Sequence, residues 1–463
     1  MNDRVLTFLE AEETAILDRL MELVKLRSVS ADPSYEKGMA DTREHLLSRL
    51  RAMGMSNVHT ISAGGHPAVY GEWLSARFKP TILVYGHYDV QPPDPLELWL
   101  SPPFQPEIRD DRIYGRGVSD DKGPISIALE TIAAFLKVEG ALPFNVKLLL
   151  EGEEEIGSAT LEVLLSEQRD LLAADAVLSA DGARWINGLN TVNIGARGNA
   201  GFEFRVHTGN KDLHSGRYGG VVPNALHAVA DLISSLHNPD GSVAVPGFYD
   251  GVREISDDEK QALAAIPFDQ ESFLELSGAA PHGEPGFSTL ERLWLRPCLD
   301  VNGMWGGYTD PGSKTVIPNE AFAKLTVRLV PDQDPEQVVR LVKGYLVSRR
   351  PSGSTIEFGE DRGQSAAYEV PGDFPLLLAA ESALQETFGS SPYRIRVGGT
   401  LPLADMVKRV LGTHTVMFSF SIADEDFHAP NEFFRLSSID EGLRAWTVLF
   451  RRLGEMDETD LAG

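Results

Sequence analysis

The stretch KLLLEGEEEIGSATLEVLL (147–165) decides the fold class. It begins as an apolar run of the kind that forms a strand buried on both faces. Three adjacent glutamates, Glu153, Glu154 and Glu155, end the run, and apolar residues at helical spacing follow. Two other runs read the same way, PTILVYGH (80–87) and DAVLSADG (175–182). Between the first and second runs lies GPISIALETIAAFLKVEGALP (123–143), with Ile125, Leu129, Ile132, Phe135 and Leu136 on a helical period and Gly140 and Pro143 as stop signals. Buried strands alternating with helices predict an α/β domain, a helix-flanked and mostly parallel sheet.

The middle of the chain has a different pattern. GFEFRVHTG (201–209) and EAFAKLTVRLVP (320–331) alternate like strands with one wet face. PNALHAVADLISSLHNPDG (223–241) and DPEQVVRLVKGYLVSRRPSG (334–353) are helical, each with a proline near its start. This predicts a smaller α+β module of the ferredoxin-like kind. A buried helix at PLLLAAESALQETFG (375–389) and an apolar strand at HTVMFSFSIAD (414–424) then return to the first pattern. The expected organisation is a catalytic domain in two parts, 1–193 and 373–463, with the module of 194–372 inserted.

Composition narrows the function classes. The formal net charge of −26 argues against a nucleic-acid partner, because phosphate binding needs a basic face. No apolar run is long enough to span a membrane, and the first 20 residues read as an amphipathic helix, not a signal peptide. One cysteine, Cys298, rules out an internal disulfide and a Cys-rich zinc site, and fits a cytoplasmic protein. The motifs of serine hydrolases, P-loop NTPases and H-E-x-x-H zinc proteases are absent. GRGVSD (115–120) begins like a dinucleotide fingerprint but has Asp120 where the third glycine belongs.

In parallel sheets ligands gather beyond the carboxyl ends of the strands. His87 and Asp89 follow the first run, the glutamates follow the second, Asp181 follows the third, and His428 follows the late strand. Asp120 and Asp121 stand just before a helix, where an aspartate is ordinarily an N-cap. Two histidines and several carboxylates recurring at one rim match the ligand preferences of zinc and similar divalent ions. Asp89 is placed to accept the second imidazole N–H of His87. A paired-metal site also needs a bridging carboxylate, and a further carboxylate kept off the metals as base.

At these residues the sequence resembles the co-catalytic zinc peptidase family of carnosinase-type dipeptidases, glutamate carboxypeptidases and aminoacylases, and most closely its dipeptidase branch. The matching stretches are YGHYDVQP, YGRGVSDDKGP, LEGEEEIGS, SADG, KDLHSGRYGG, KTVIP, VRLVPD, GGTLP and HAPNEF, from residue 85 to 433. The resemblance implies two divalent ions per subunit, zinc first, with manganese or cobalt as alternatives. It implies that Asp120 bridges them, that His87 and Asp181 complete one site, and that Glu155 and His428 complete the other. By the same resemblance Glu154 is the general base, Asp89 supports His87, and Asp121 is joined to Asp120 by a cis peptide. The resemblance further implies that His214 stabilises the oxyanion from the partner subunit of a homodimer built through the inserted lid module. It places Thr315 and Thr400 near the substrate, and Arg328 is a candidate to grip the substrate's carboxylate.

Two departures bear on the substrate: Thr400 stands where dipeptidases often carry serine, and Gly182 and Ala183, just after Asp181, lack an aromatic that some relatives carry there. The implied function is hydrolysis of dipeptides or short peptides with a free carboxylate. The alternative is an amidohydrolase that removes an acyl group from N-acyl amino acids or related biosynthetic intermediates. In the cluster, Ser158 is expected to cap the next helix, and Glu153 to be structural or solvent-facing.

Overall fold

The computed structural model describes residues 3–275 and 278–461. They form two compact units. The first holds the described residues of 1–194, 370–395 and 406–463, the second those of 195–369 and 396–405.

The first unit is built on a sheet in the strand order Ser56–Ile61, Ala68–Trp73, Asn145–Glu151, Thr81–His87, Ala176–Ser179, Thr415–Met417, Thr191–Ala196. The inner strands are parallel: Thr81–His87 pairs in this sense with both Asn145–Glu151 and Ala176–Ser179, and Thr415–Met417 with Ala176–Ser179. The pairs outside this centre are antiparallel. The fold is therefore α/β, with a parallel centre. Thr81–His87 and Asn145–Glu151 are each buried over all but their first residue, as strands covered on both faces must be. The helix Gly123–Glu139 is buried on nearly every side from Gly123 to Phe135. Gly140 ends it in the left-handed conformation, donating its N–H to the Leu136 carbonyl.

The late strand is shorter than its apolar run suggests. Only Thr415–Met417 keeps ladder pairing, and Phe418 makes one more hydrogen bond to Ser179 before the chain leaves the sheet. Apolarity reported burial in this stretch, not strand length.

The second unit follows the order strand, helix, strand, strand, helix, strand: Gly198–His207, Ala225–Ser234, Cys298–Gly306, Glu320–Leu329, Pro335–Arg349, Thr355–Ser365. Its antiparallel sheet has the spatial order Cys298–Gly306, Glu320–Leu329, Gly198–His207, Thr355–Ser365, which is the ferredoxin-like arrangement. Alternate residues of the central strands, Phe202, Phe204, Val206, Leu325, Val327 and Leu329, form a core with both helices. The helices begin where the sequence marks them: Asn224 accepts from Leu226 N, and Asp334 accepts from Gln337 N ahead of Pro335. Among the described residues no helix is long and apolar enough to cross a membrane.

Candidate metal centre

The parallel strands of the first unit end at one rim, and the segments that follow them bring His87, Glu154, Glu155, Asp181 and His428 there. His87 is the last residue of its strand and is fully buried. Its Nε2 lies 3.0 Å from Asp120 Oδ1. The other oxygen of Asp120 lies 3.1 Å from His428 Nε2, which is also 3.1 Å from Glu155 Oε2. Asp181 completes a cluster with His87 and Asp120, as Glu155 does with Asp120 and His428; within each trio the ligand atoms lie within 4.8 Å of one another. Asp120 belongs to both.

The backbone of this rim is held by carboxylates that are not in either trio. Asp120 sits in the turn Val118–Lys122 with non-helical backbone angles, joined to Asp121 by a cis peptide. Glu432, buried with Arg116, accepts from Arg116 Nη1 at 2.8 Å and from the backbone N–H groups of Gly117, Ser119 and Asp120 at 2.7–3.1 Å. Asp121 is not an N-cap: its Oδ2 accepts the His87 N–H at 3.1 Å, while Oδ1 is buried without a partner among the described residues. Asp89 ties three elements together. Its carboxylate accepts from Ser30 Oγ and from the backbone N–H groups of Glu154 and Glu155. Toward His87 Nδ1 the nearer acceptor is the Asp89 carbonyl at 3.0 Å, with the carboxylate at 3.5 Å. The expected carboxylate–imidazole contact is thus a shared one. Gln91 orients Glu155, with Nε2 2.8 Å from Oε2 and its backbone N–H on Oε1.

The three glutamates separate in space. Residues Glu154–Ile156 form a single tight turn, so Glu154 and Glu155 leave the strand's alternation and both reach the rim. Glu153 points the other way. It is buried, so the solvent-facing option does not hold; it accepts from Thr160 Oγ1 and packs over Gly65, where any Cβ would collide with its carboxylate. Ser158 is not the helix cap. It takes the left-handed conformation with its N–H on the Glu153 carbonyl, and the helix Leu161–Glu167 starts after Thr160 without a side-chain cap. The backbone had to close the turn first, which displaced the cap.

The electrostatics of the rim call for positive charge. Burial pushes the Glu154 carboxyl up to about 9, with the acids Asp181, Asp120 and Glu155 adding to the rise against His87. Burial likewise raises Asp181 to about 6. His428 is raised to about 10 by Asp120 and Glu155. Asp120 is held low: burial opposes it, but the two histidines prevail. In the bare protein, protons on the imidazoles and on Glu154 itself offset the charge of these acids. Two dications would do so with an oxygen and nitrogen donor set that suits zinc and its neighbours. The residues therefore fit a pair of divalent ions.

The other predicted residues lie in the second unit. His214, exposed, pairs with Val316 in a short antiparallel bridge, and the Ser215 N–H reaches the Thr315 carbonyl, so His214 and Thr315 are neighbours. Arg328 Nη1 donates to Thr400 Oγ1 at 3.0 Å. Gln91 and Glu432 were missed in the sequence although both lie inside quoted motifs. Their roles depend on partners 64 and 312 residues away, and no local spacing signals that.

The family model for peptidase family M20/M25/M40 matches residues 83–452, most of the chain. The chain belongs to this family. Among curated proteins this family member is similar to the human Beta-Ala-His dipeptidase, 29% identical over 98% of this chain and 93% of that protein. It is also similar to the Cys-Gly metallodipeptidase of Schizosaccharomyces pombe, 27% identical over 98% of both. Among solved structures, an M20 family metallo-carboxypeptidase from Sulfolobus solfataricus superposes with a TM-score of 0.81, at 32% identity over 95% of this chain and 99% of that one. The matched span covers all of the candidate metal centre and the four second-unit residues.

Proposed function

We propose that this M20 peptidase hydrolyses dipeptides or short peptides with a free C-terminal carboxylate, using two divalent cations, zinc first. The observation that carries the reading is Asp120, whose two carboxylate oxygens each lie about 3 Å from a different histidine nitrogen. One carboxylate shared by two nitrogen–oxygen trios is the donor pattern of a paired-cation site. His87, Asp120 and Asp181 would hold one ion, and Asp120, Glu155 and His428 the other.

When bound, the cations would polarise the scissile carbonyl and lower the pKa of a water. The rest falls to the protein. Glu154 stands beside the trios without belonging to either, and its buried carboxyl already tends to hold a proton. It would take the proton of the attacking water and deliver it to the leaving amine. Asp89, bonded to the Glu154 and Glu155 backbone and facing His87, fixes base and ligand in one frame. Arg328, its fork anchored on Thr400, would grip the substrate carboxylate, with Thr315 nearby in sequence to His214's bridge.

His214 lies in the second unit, on the short bridge to Val316. In this reading it donates to the oxyanion of a partner subunit's substrate, which makes the active form a homodimer joined through the inserted unit. Sedimentation that found a fully active monomer would overturn that part. The lone cysteine leaves no internal disulfide to form, which supports a cytoplasmic location.

The deciding experiment is metal analysis of the purified protein together with assays on free dipeptides and on N-acyl amino acids. The reading expects about two divalent ions per chain and dipeptide cleavage. Strong deacylation without dipeptide cleavage would replace it by the amidohydrolase alternative.

A further inference from the structure

The second unit contains a cavity of about 500 Å³ that the proposed reaction does not use. It lies along the outer edge of the strand Cys298–Gly306, an edge strand of its sheet. None of His214, Thr315, Arg328 and Thr400 lines it. Its volume is that of a small-molecule site, and such sites combine apolar walls with a few polar groups. Here the walls include Val243, Phe273, Leu293 and Val301.

The charged groups at this cavity are unevenly matched. Arg296 is neutralised by Glu284 through two hydrogen bonds of 2.8 and 2.7 Å, and stacks on Phe287 and Tyr249. Arg197 and Arg292 have no such partner: neither forms an ion pair among the described residues. Arg292 donates from Nη1 to the His282 carbonyl, and its Nε is buried without a hydrogen-bond acceptor. Arg197 donates to the Gly398 carbonyl at 2.9 Å and to Cys298 Sγ at 3.6 Å. Burial disfavours its charge and Arg328 nearby repels it, while Cys298 and Asp300 offset part of this. Asp300 is exposed and accepts from the Cys298 thiol. Two guanidinium groups without a carboxylate partner beside one cavity favour an anion there, and the apolar walls ask that the anion carry an apolar body.

We propose that this cavity binds a small organic carboxylate with an apolar body, its carboxylate on Arg292 in the field of Arg197 and its apolar part against Val243, Phe273 and Leu293. The proposal is independent of the hydrolase reading.

The chain's one cysteine makes the test site-specific, because Cys298 lines the cavity. The probe is 3-phenylpropionate, added to the metal-loaded protein while iodoacetamide alkylation of Cys298 is followed by intact mass. The probe should slow alkylation at least about fivefold at saturation, and neutral 3-phenylpropanol or inorganic phosphate less than about twofold. Titration calorimetry reads the same binding directly, and decides the matter if Cys298 proves unreactive. Arg292→Met should remove binding and protection, and Arg328→Met should leave both. Should Arg292→Met fail to fold, Val243→Trp, which fills the cavity, takes its place. Absence of binding at about 10 mM would overturn the proposal, as would equal protection by the alcohol or by phosphate. Loss of binding in Arg328→Met with retention in Arg292→Met would also overturn it, by placing the carboxylate on the proposed substrate grip.

Discussion

His428 Nε2 and Asp120 Oδ2 lie 3.1 Å apart although 308 residues separate them in the chain. Through Asp120 the late loop and the strand of His87 share one carboxylate. Removing that carboxylate should therefore cost both cation sites, whereas removing an outer ligand should cost one. Asp120→Ala is expected to retain almost no bound divalent ion after gel filtration, and Asp181→Ala or His428→Ala about half of the wild-type content. Elemental analysis of the purified variants checks this. Equal metal content in Asp120→Ala and wild type would remove Asp120 from the shared position.

Glu154 is assigned to proton transfer and not to metal binding, and the two roles separate in a variant. Glu154→Gln should lower kcat by about 10²–10⁴-fold while leaving the metal content unchanged. If its metal content falls with its activity, Glu154 is a ligand.

The acids and imidazoles at the rim fix the sign of the pH dependence in the metal-free protein. Glu154 and Asp181 have folded-state pKa values raised above their ordinary range, to about 9 and about 6, so the folded state binds more protons than the unfolded one. The same holds for His428, raised to about 10. Stability from these groups is present at low pH and is lost as pH rises through the folded values. Asp120, held low, works the other way, but only in acid, below its ordinary carboxylate range. Thermal melts of the chelated protein should thus fall between about pH 6 and 9. Added zinc should flatten the slope and release protons on binding. A melting temperature of the chelated protein that rises across this window would contradict the assignment.

Glu432 and Arg116 form an ion pair in which both side chains are only 1% exposed. Glu432→Ala leaves the guanidinium buried without its carboxylate, and frees the backbone N–H groups of Gly117, Ser119 and Asp120. Breaking a buried pair from one side costs about 3–5 kcal/mol. The variant should melt well below wild type and bind metal more weakly, because the turn that carries Asp120 loses its anchor. A melting temperature within error of wild type would show that the turn does not depend on Glu432.

Arg328 donates to Thr400, and no carboxylate pairs with it among the described residues; the proposed function gives its fork to the substrate carboxylate. Arg328→Met should raise KM for free dipeptides by about 10–100-fold, with a smaller change in kcat. C-terminally amidated dipeptides should be equally poor substrates for both proteins. A variant that loses the same activity on both substrates would place Arg328 in a structural role.

Much of this protein was legible in its sequence because the signals are local. The apolar runs at 80–87, 144–152 and 175–182 marked the parallel strands, since a strand covered on both faces must be apolar throughout. The position just past such a run placed His87, the glutamate cluster and Asp181 at one rim, because parallel strands end on the same side. The α+β module showed its central strands by their alternation, but its edge strands Cys298–Gly306 and Thr355–Ser365 escaped notice, as glycines and exposed residues blur the period there.

Tertiary structure alone decided the rest. No spacing in EGEEE tells the buried Glu153 from the rim-facing Glu154 and Glu155. The tight turn at Glu154–Ile156 makes that distinction by breaking the alternation of the strand. Nothing near Gln91 or Glu432 announces their partners, because hydrogen bonds between distant segments leave no periodicity to read. The cavity beside Cys298 is likewise a property of packing: the arginines there are visible as charge in the sequence, but that neither Arg197 nor Arg292 meets a carboxylate among the described residues is decided only once the chain has folded.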